Sequence, residues 1–196
     1  RVSQRQPLQR EGEKINAPGD HDGRPVNQTG ASADMAAEPR SLSHVVYFVP
    51  AAARAAAFSQ RLGFVCTDRF THVGPFLRPA GTQDHHTLFL IQAPPFMTGI
   101  EHFTLHLGCP TELMMAGSRF QQKGYQTFWG PGRHQLGSNW FWYFNSPLGC
   151  HIEYDADMDQ HDDHWQPREA LPGADNSQYF LLGYREKWAP GPDNAR

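Results

Sequence analysis

The chain lacks any apolar run near the ~20 residues that a bilayer-spanning helix needs, and it lacks a basic cluster. Lys and Arg number 17 against 20 Asp and Glu, for a net charge of -3. That balance offers neither a nucleic-acid surface nor a membrane patch. Cysteine is sparse as well. Cys66, Cys109 and Cys150 are odd in number and widely spaced, which excludes a disulfide framework and a zinc ribbon and fits reduced thiols in a cytoplasmic protein. The chain opens at Arg1 with no methionine, so further sequence is expected upstream. Histidine runs the other way. Eleven among 196 residues is the one compositional hint of metal or acid–base chemistry.

Residues 1–40 are polar and rich in Gly, Pro, Gln and Asn, and no hydrophobic period survives there. They read as an extended arm or as an interdomain linker. Order begins at Ser41. Leu42 to Val49 is β-branched and aromatic, a strand signal. Ala51 to Leu62 is a helix closed by Gly63, with strands expected at 64–70, 74–78 and His86–Ile91. The pattern then repeats. A strand over Gly99–Leu107 precedes a helix over Thr111–Lys123, with Thr111 as its N-cap and Gly124 as its C-cap. Strands over 125–129, 139–145 and 151–154 follow, with His134 in a Gly-rich loop between the first two.

The two modules align: Leu42-Ser43-His44-Val45 matches Ile100-Glu101-His102-Phe103, and Arg61-Leu62-Gly63-Phe64 matches Gln122-Lys123-Gly124-Tyr125. A tandem duplication of this kind is a strong fold signal. The expected fold is α+β, two tandem βαβββ modules (41–95 and 99–156) forming a half-open barrel within a domain at 41–160. A C-terminal extension at 161–196 has one apolar patch, Tyr179-Phe180-Leu181-Leu182, read as a last strand or helix.

A lone strand histidine is more often a satisfied core residue than a ligand. Repetition changes that weighting for His44 and His102, which occupy the same point of each module's first strand. Glu153 lies in an apolar, aromatic strand, where a carboxylate is costly unless paired or metal-bound. If the modules pack as pseudo-equivalent halves, His44, His102 and Glu153 meet. The corresponding first-module strand, His86–Ile91, carries no carboxylate. Three ligands then form a facial triad that leaves positions open, a site suited to Fe(II) oxygen chemistry, with Mn(II) as the alternative.

These residues resemble the vicinal oxygen chelate superfamily, and within it the catalytic half of type I extradiol catechol dioxygenases. The resemblance covers roughly Ser41 to Asp155. It rests on Leu42-Ser43-His44, Asp84-His85-His86-Thr87-Leu88, Ile100-Glu101-His102-Phe103, Gly132-Arg133-His134, Phe141-Trp142-Tyr143-Phe144 with Ser146-Pro147, and Ile152-Glu153-Tyr154. It implies that His44, His102 and Glu153 bind iron and that His86 is the acid–base residue. It also implies that His134 and Tyr143 contact the substrate hydroxyls. His85 competes with His86 for its role, and His151, on the face of Glu153, is an unusual neighbour that tunes or crowds the site. The implied reaction is ring cleavage of a catechol-type aromatic by O2. A metal-dependent isomerase or lyase and an aromatic-ligand binding module are the alternatives. A homo-oligomer is expected, and the acidic stretch Asp155–Asp163 reads as a solvated loop.

Overall fold

The computed structural model describes residues 12–183. A two-stranded ribbon, β1 (Asn16–Ala17) and β2 (His21–Asp22), precedes the repeated part. The first module is β3 (Ser41–Val49), α1 (Ala52–Arg61), β4 (Phe64–Phe70), β5 (Gly74–Pro79) and β6 (Leu88–Gln92). The second is β7 (Gly99–His106), α2 (Pro110–Gln122), β8 (Thr127–His134), β9 (Trp140–Asn145) and β10 (His151–Ala156). After them come β11 (Arg168–Ala170), α3 (Ala174–Ser177) and β12 (Gln178–Leu181). Among the described residues no helix is long and apolar enough to cross a membrane.

The duplication is visible in the sheet. Its order is β11-β4-β5-β6-β3-β7-β10-β9-β8-β12. In each module the first strand pairs in parallel with the last, β3 with β6 and β7 with β10. The two halves join through the antiparallel pair β3–β7, where Val46 lies opposite His102. The ends do not pair with each other, so the barrel is half-open, as the sequence suggested.

Period-2 alternation sorts the second module's aromatics. Trp142 and Phe144 face α2 and pack with Leu113, Ala116 and Tyr154, while Phe141 and Tyr143 face the barrel with Phe128 and Trp129. Both helices end as their glycines require. Gly63 and Gly124 take φ of 91° and 87°, conformations that cost other residues a Cβ clash. The start of α2 differs from expectation. Its N-cap is Cys109, whose Sγ accepts the Glu112 N–H at 3.4 Å. Thr111 is the second residue of the helix, and its hydroxyl donates to Glu13 at 2.6 Å.

Two strand boundaries also differ. β6 starts at Leu88, so His85 and His86 precede it instead of opening it. The backbone there pairs with the chain beyond β10: the His85 N–H donates to the Asp159 carbonyl at 2.9 Å, and Asp84 bridges Gln160. β8 continues through Gly130-Pro131-Gly132-Arg133, so His134 ends a strand. Pro131 has no N–H to give the ladder, and the register slips between Trp129 and Gly132.

Residues 12–40 run over α2, where Arg119 donates to the Ala33 and Met35 carbonyls and Arg40 pairs with Glu112 at 2.7 Å. The chain beyond β10 extends both sheet edges. β11 adds to β4 and β12 to β8, so the Tyr179–Leu181 patch becomes an edge strand. The acidic stretch is not simply solvated. Asp155 is fully buried, because Ser43 and His106 bond it at 2.9 and 2.5 Å.

Candidate metal centre and its cavity

His44 enters the barrel from β3, His102 from β7 and Glu153 from β10, three adjacent strands. Each is buried, and one ligand atom from each lies within 4.8 Å of the others. Glu153 Oε2 is 3.0 Å from His44 Nε2 and 3.3 Å from His102 Nε2, and the two Nε2 atoms are 3.4 Å apart.

Neighbouring side chains decide which nitrogens point at that cluster. The hydroxyl proton of Ser43 goes to Asp155, so the Ser43 oxygen accepts from His44 Nδ1 at 2.9 Å. His102 Nδ1 bonds the Glu101 carboxylate, which can only accept. Both imidazoles therefore carry Nδ1–H and keep Nε2, the atom facing Glu153, as the nitrogen that a metal would take in exchange for any proton there. Thr104 donates to Glu153 Oε2 at 2.5 Å, while Glu153 Oε1, fully buried, has no hydrogen-bond partner among the described residues. Two imidazole nitrogens and a half-satisfied carboxylate fit a divalent cation, and the mixed nitrogen–oxygen set suits iron or manganese.

Without a cation the charges compensate one another. Burial would raise the Glu153 pKa, but His102, His134 and His44 hold it well below the ordinary carboxylate range. Burial would lower that of His102, yet the Glu101 and Glu153 carboxylates push it up to about 10. His44 is pulled down by burial, which outweighs Glu153 and Asp155.

Above the cluster is a cavity of about 290 Å³ bordered by His44, His86, His102, His134 and Tyr143. Most of its remaining wall is apolar, with Val46, Phe76, Phe89 and Leu136 packed as one buried group. The six residues singled out from the sequence thus meet at one place. The His86 ring is 4.1 Å from that of His44. His134 Nε2 is 3.5 Å from Glu153 Oε1 and 3.4 Å from the Tyr143 hydroxyl. Of the tryptophans, Trp129 borders the cavity and Trp142 packs under α2. His151 stands outside the ligand cluster: it stacks on Phe128 at 3.6 Å and bonds Glu101 at 3.1 Å, so it holds the carboxylate that holds His102.

Sequence reasoning missed the supporting residues Ser43, Glu101, Thr104 and Asp155. Thr104 shares strand parity with His102 and could have been found that way. It also missed Asn139, which borders the cavity with both amide atoms buried and without a hydrogen-bond partner among the described residues. An unsatisfied amide in a cavity wall is a place for a polar group of a ligand.

No family model matches the sequence. Among curated proteins it is similar to metapyrocatechase 2 of Cupriavidus necator, 36% identical over 142 residues, which are 70% of this chain and 44% of that protein. Among solved structures it is similar to a Mn(II)-bound glyoxalase from Novosphingobium aromaticivorans, at 28% identity and TM-score 0.72, over 83% of this chain and 55% of the other. A 2,2',3-trihydroxybiphenyl 1,2-dioxygenase from Sphingomonas wittichii shares the fold at 22% identity and TM-score 0.63, over 74% of this chain and 51% of the other. The chain spans about half the length of these relatives. In sequence and in fold it resembles the vicinal oxygen chelate superfamily and its catechol dioxygenase members.

Proposed function

We propose that this chain carries the metal site of an extradiol ring-cleaving dioxygenase that acts on a catechol-type aromatic, with Fe(II) as its working metal. The observation that carries this reading is the open ligand set. His44, His102 and Glu153 approach from one side, and a largely apolar cavity into which His86, His134, Tyr143 and Asn139 also face occupies the other. The metapyrocatechase and dioxygenase relatives support it. Bound at these three residues, a redox-active divalent ion supplies the electron transfer between an aromatic ring and O2.

The chain's own groups divide the remaining work. Stacked Phe76 and Phe89, 4.0 Å apart, wall the cavity where a ring would lie. His86 takes the proton of a substrate hydroxyl and returns it later. Burial, seconded by the Glu153 and Glu101 charges, keeps the Tyr143 phenol well above its ordinary pKa, so it stays a donor towards a substrate oxygen. His134 Nδ1 donates to the Ser177 carbonyl at 3.2 Å, which leaves Nε2 to accept on the cavity side.

The Mn(II)-bound glyoxalase relative favours one second reading, a non-oxidative isomerase or lyase. Anaerobic loading with Fe(II), Mn(II) or Zn(II), followed by a panel of substituted catechols under air and under argon, separates the two. Turnover to a yellow ring-fission product is expected with Fe(II) or Mn(II) in air, and none with Zn(II), which has no redox chemistry. Equal rates in both atmospheres, or full activity with Zn(II), would leave the second reading. Catechol binding without turnover under any metal would leave a binding module.

A further inference from the structure

Two buried side chains behind the cavity, and a half-exposed arginine beside them, have no place in the scheme above. Asp68, on β4, is fully buried, and so is His85. Asp68 Oδ2 is 2.7 Å from His85 Nε2, and His85 Nδ1 is 2.8 Å from His86 Nδ1. Arg168, at the start of β11, closes the far end of this row. Its backbone N–H bonds Asp68 Oδ1 at 2.8 Å and its Nη2 bonds Oδ2 at 2.6 Å. The row therefore runs Arg168, Asp68, His85, His86, and its last member borders the cavity.

We propose that Asp68 and His85 are positioning residues that fix the tautomer of His86, so that its Nε2 meets the substrate as a bare nitrogen. The inference rests on the catalytic reading of His86 given above.

The donors and acceptors permit one neutral arrangement. Asp68 receives donors from Arg168 at both oxygens and is ionised, so it accepts from His85, whose proton is on Nε2. A neutral His85 then has a bare Nδ1. Two nitrogens 2.8 Å apart need one proton between them, and His86 must supply it from Nδ1. His86 Nε2, across the ring, is left unprotonated. The neutrality of His85 follows from its surroundings. Burial lowers its pKa against the pull of Asp68, Arg168 adds to the lowering, and the His161 ring packs 5.6 Å away, stacked in turn on Trp165.

The consequence is a base that is ready before substrate arrives. When a substrate hydroxyl meets His86, its O–H bond breaks and an N–H bond forms at Nε2. The electron pair stays on the substrate oxygen. The resulting imidazolium keeps its Nδ1–H directed at His85, and Asp68 stabilises that charge through the His85 ring. The opposite tautomer would present an N–H to the same hydroxyl and could not take its proton. In the serine protease triad the same kind of carboxylate holds its histidine in one tautomer, and its amide replacement costs about 10⁴ in rate.

The test reads the tautomer directly. Zn(II)-loaded full-length protein labelled with 15N at histidine gives the protonation of each ring nitrogen, with His86 assigned from the spectrum of His86→Gln. The expected result is Nδ1 protonated and Nε2 bare. In Asp68→Asn the new NH2 faces a site that receives only donors, and when it turns to His85 it reverses the row. That variant is expected to lose the single tautomer and, in the Fe(II) enzyme, to lower kcat at least tenfold with KM within about twofold. Arg168→Gln keeps the Asp68–His85 bond, so it is expected to retain the tautomer even while Tm falls. A wild-type His86 protonated on Nε2 would overturn the proposal. So would an Asp68→Asn with wild-type spectrum and kcat, or a tautomer lost equally in Arg168→Gln. The wild-type spectrum requires neither a stable variant nor turnover, so it decides the row even for a protein that cleaves no catechol.

Discussion

Thr104 and Glu153 face each other across the parallel β7–β10 pair, and the Thr104 hydroxyl donates to Glu153 Oε2 at 2.5 Å. The bond fixes the plane of the carboxylate whose oxygens have to meet two imidazoles. Thr104→Val removes the donor and keeps the branch. Partners of this kind, which hold a metal ligand, are typically worth 10–100-fold in metal affinity, so we expect a loss in that range by chelator competition. His102→Ala, which removes a ligand, should abolish stoichiometric metal. Wild-type affinity in Thr104→Val would mean that the strand register alone orients Glu153.

Gly117 lies inside α2, where alanine would ordinarily stabilise by ~1 kcal/mol. Here the sign reverses. A Cβ at 117 would sit 2.1 Å from Trp142 Cε3. The indole cannot swing away cheaply, because its N–H is bonded to Thr127 at 3.0 Å and its ring packs in the α2 core. Overpacking of this kind costs ~1–3 kcal/mol and exceeds the gain in propensity. Gly117→Ala should lower the urea midpoint while metal affinity stays put, since α2 is on the far face of the sheet from the ligands. A more stable Gly117→Ala would show that Trp142 yields.

The repeat made the fold legible. Once His44 and His102 were seen at equivalent points of two βαβββ patterns, the half-open barrel and the meeting of both histidines with Glu153 followed. Strand parity put His102 on one face with Thr104 and His106, whereas Tyr143 was singled out from its neighbouring tryptophans only by the family resemblance. The remainder depends on contacts that no local pattern carries. His85 and His86 lie before β6 because the backbone of Asp84 and His85 pairs with the segment at 159–160, some 75 residues later. Nothing around Asp68 announces that Arg168, a hundred residues on, will bury its carboxylate with His85. The proline inside β8 read as a loop signal, and only a slipped register let the strand run on to His134.

Asp68 also gives the protein an acid limb that can be calculated. Burial opposes its ionisation, but His85 and Arg168 outweigh that and depress its pKa from 3.8 to about 2. A carboxylate depressed in the folded state adds stability that is fully present above its unfolded value, near 3.8. That stability is lost as the pH falls through about 2. The difference amounts to ~2 kcal/mol. Urea unfolding of wild type against Asp68→Asn should therefore show a gap that is widest at neutral pH and narrows by roughly that amount between pH 4 and pH 2. A gap independent of pH would place the contribution of Asp68 in packing and neutral hydrogen bonds.

Tyr143 and His134 share one corner of the cavity, and substitution separates their parts. Their mutual contact of 3.4 Å is long for a hydrogen bond, so Tyr143→Phe should barely alter Tm or the ring position of His134. The phenol is held well above its ordinary pKa and remains a donor at any working pH. It is within the barrel face opposite Glu153 across β9–β10. A substrate oxygen that has lost its proton in this corner gains a charge-assisted hydrogen bond from Tyr143, worth ~1.5–3 kcal/mol. Removing it should lower kcat/KM by about 10–100-fold with the metal content unchanged. His134→Gln keeps an acceptor on the cavity side but loses the Ser177 anchor, so its main expected effect is a raised KM. If Tyr143→Phe turns over at the wild-type rate, the phenol is only part of the wall, and the donor to the substrate oxygen must be sought at Asn139, whose amide is buried in the same cavity without a partner among the described residues.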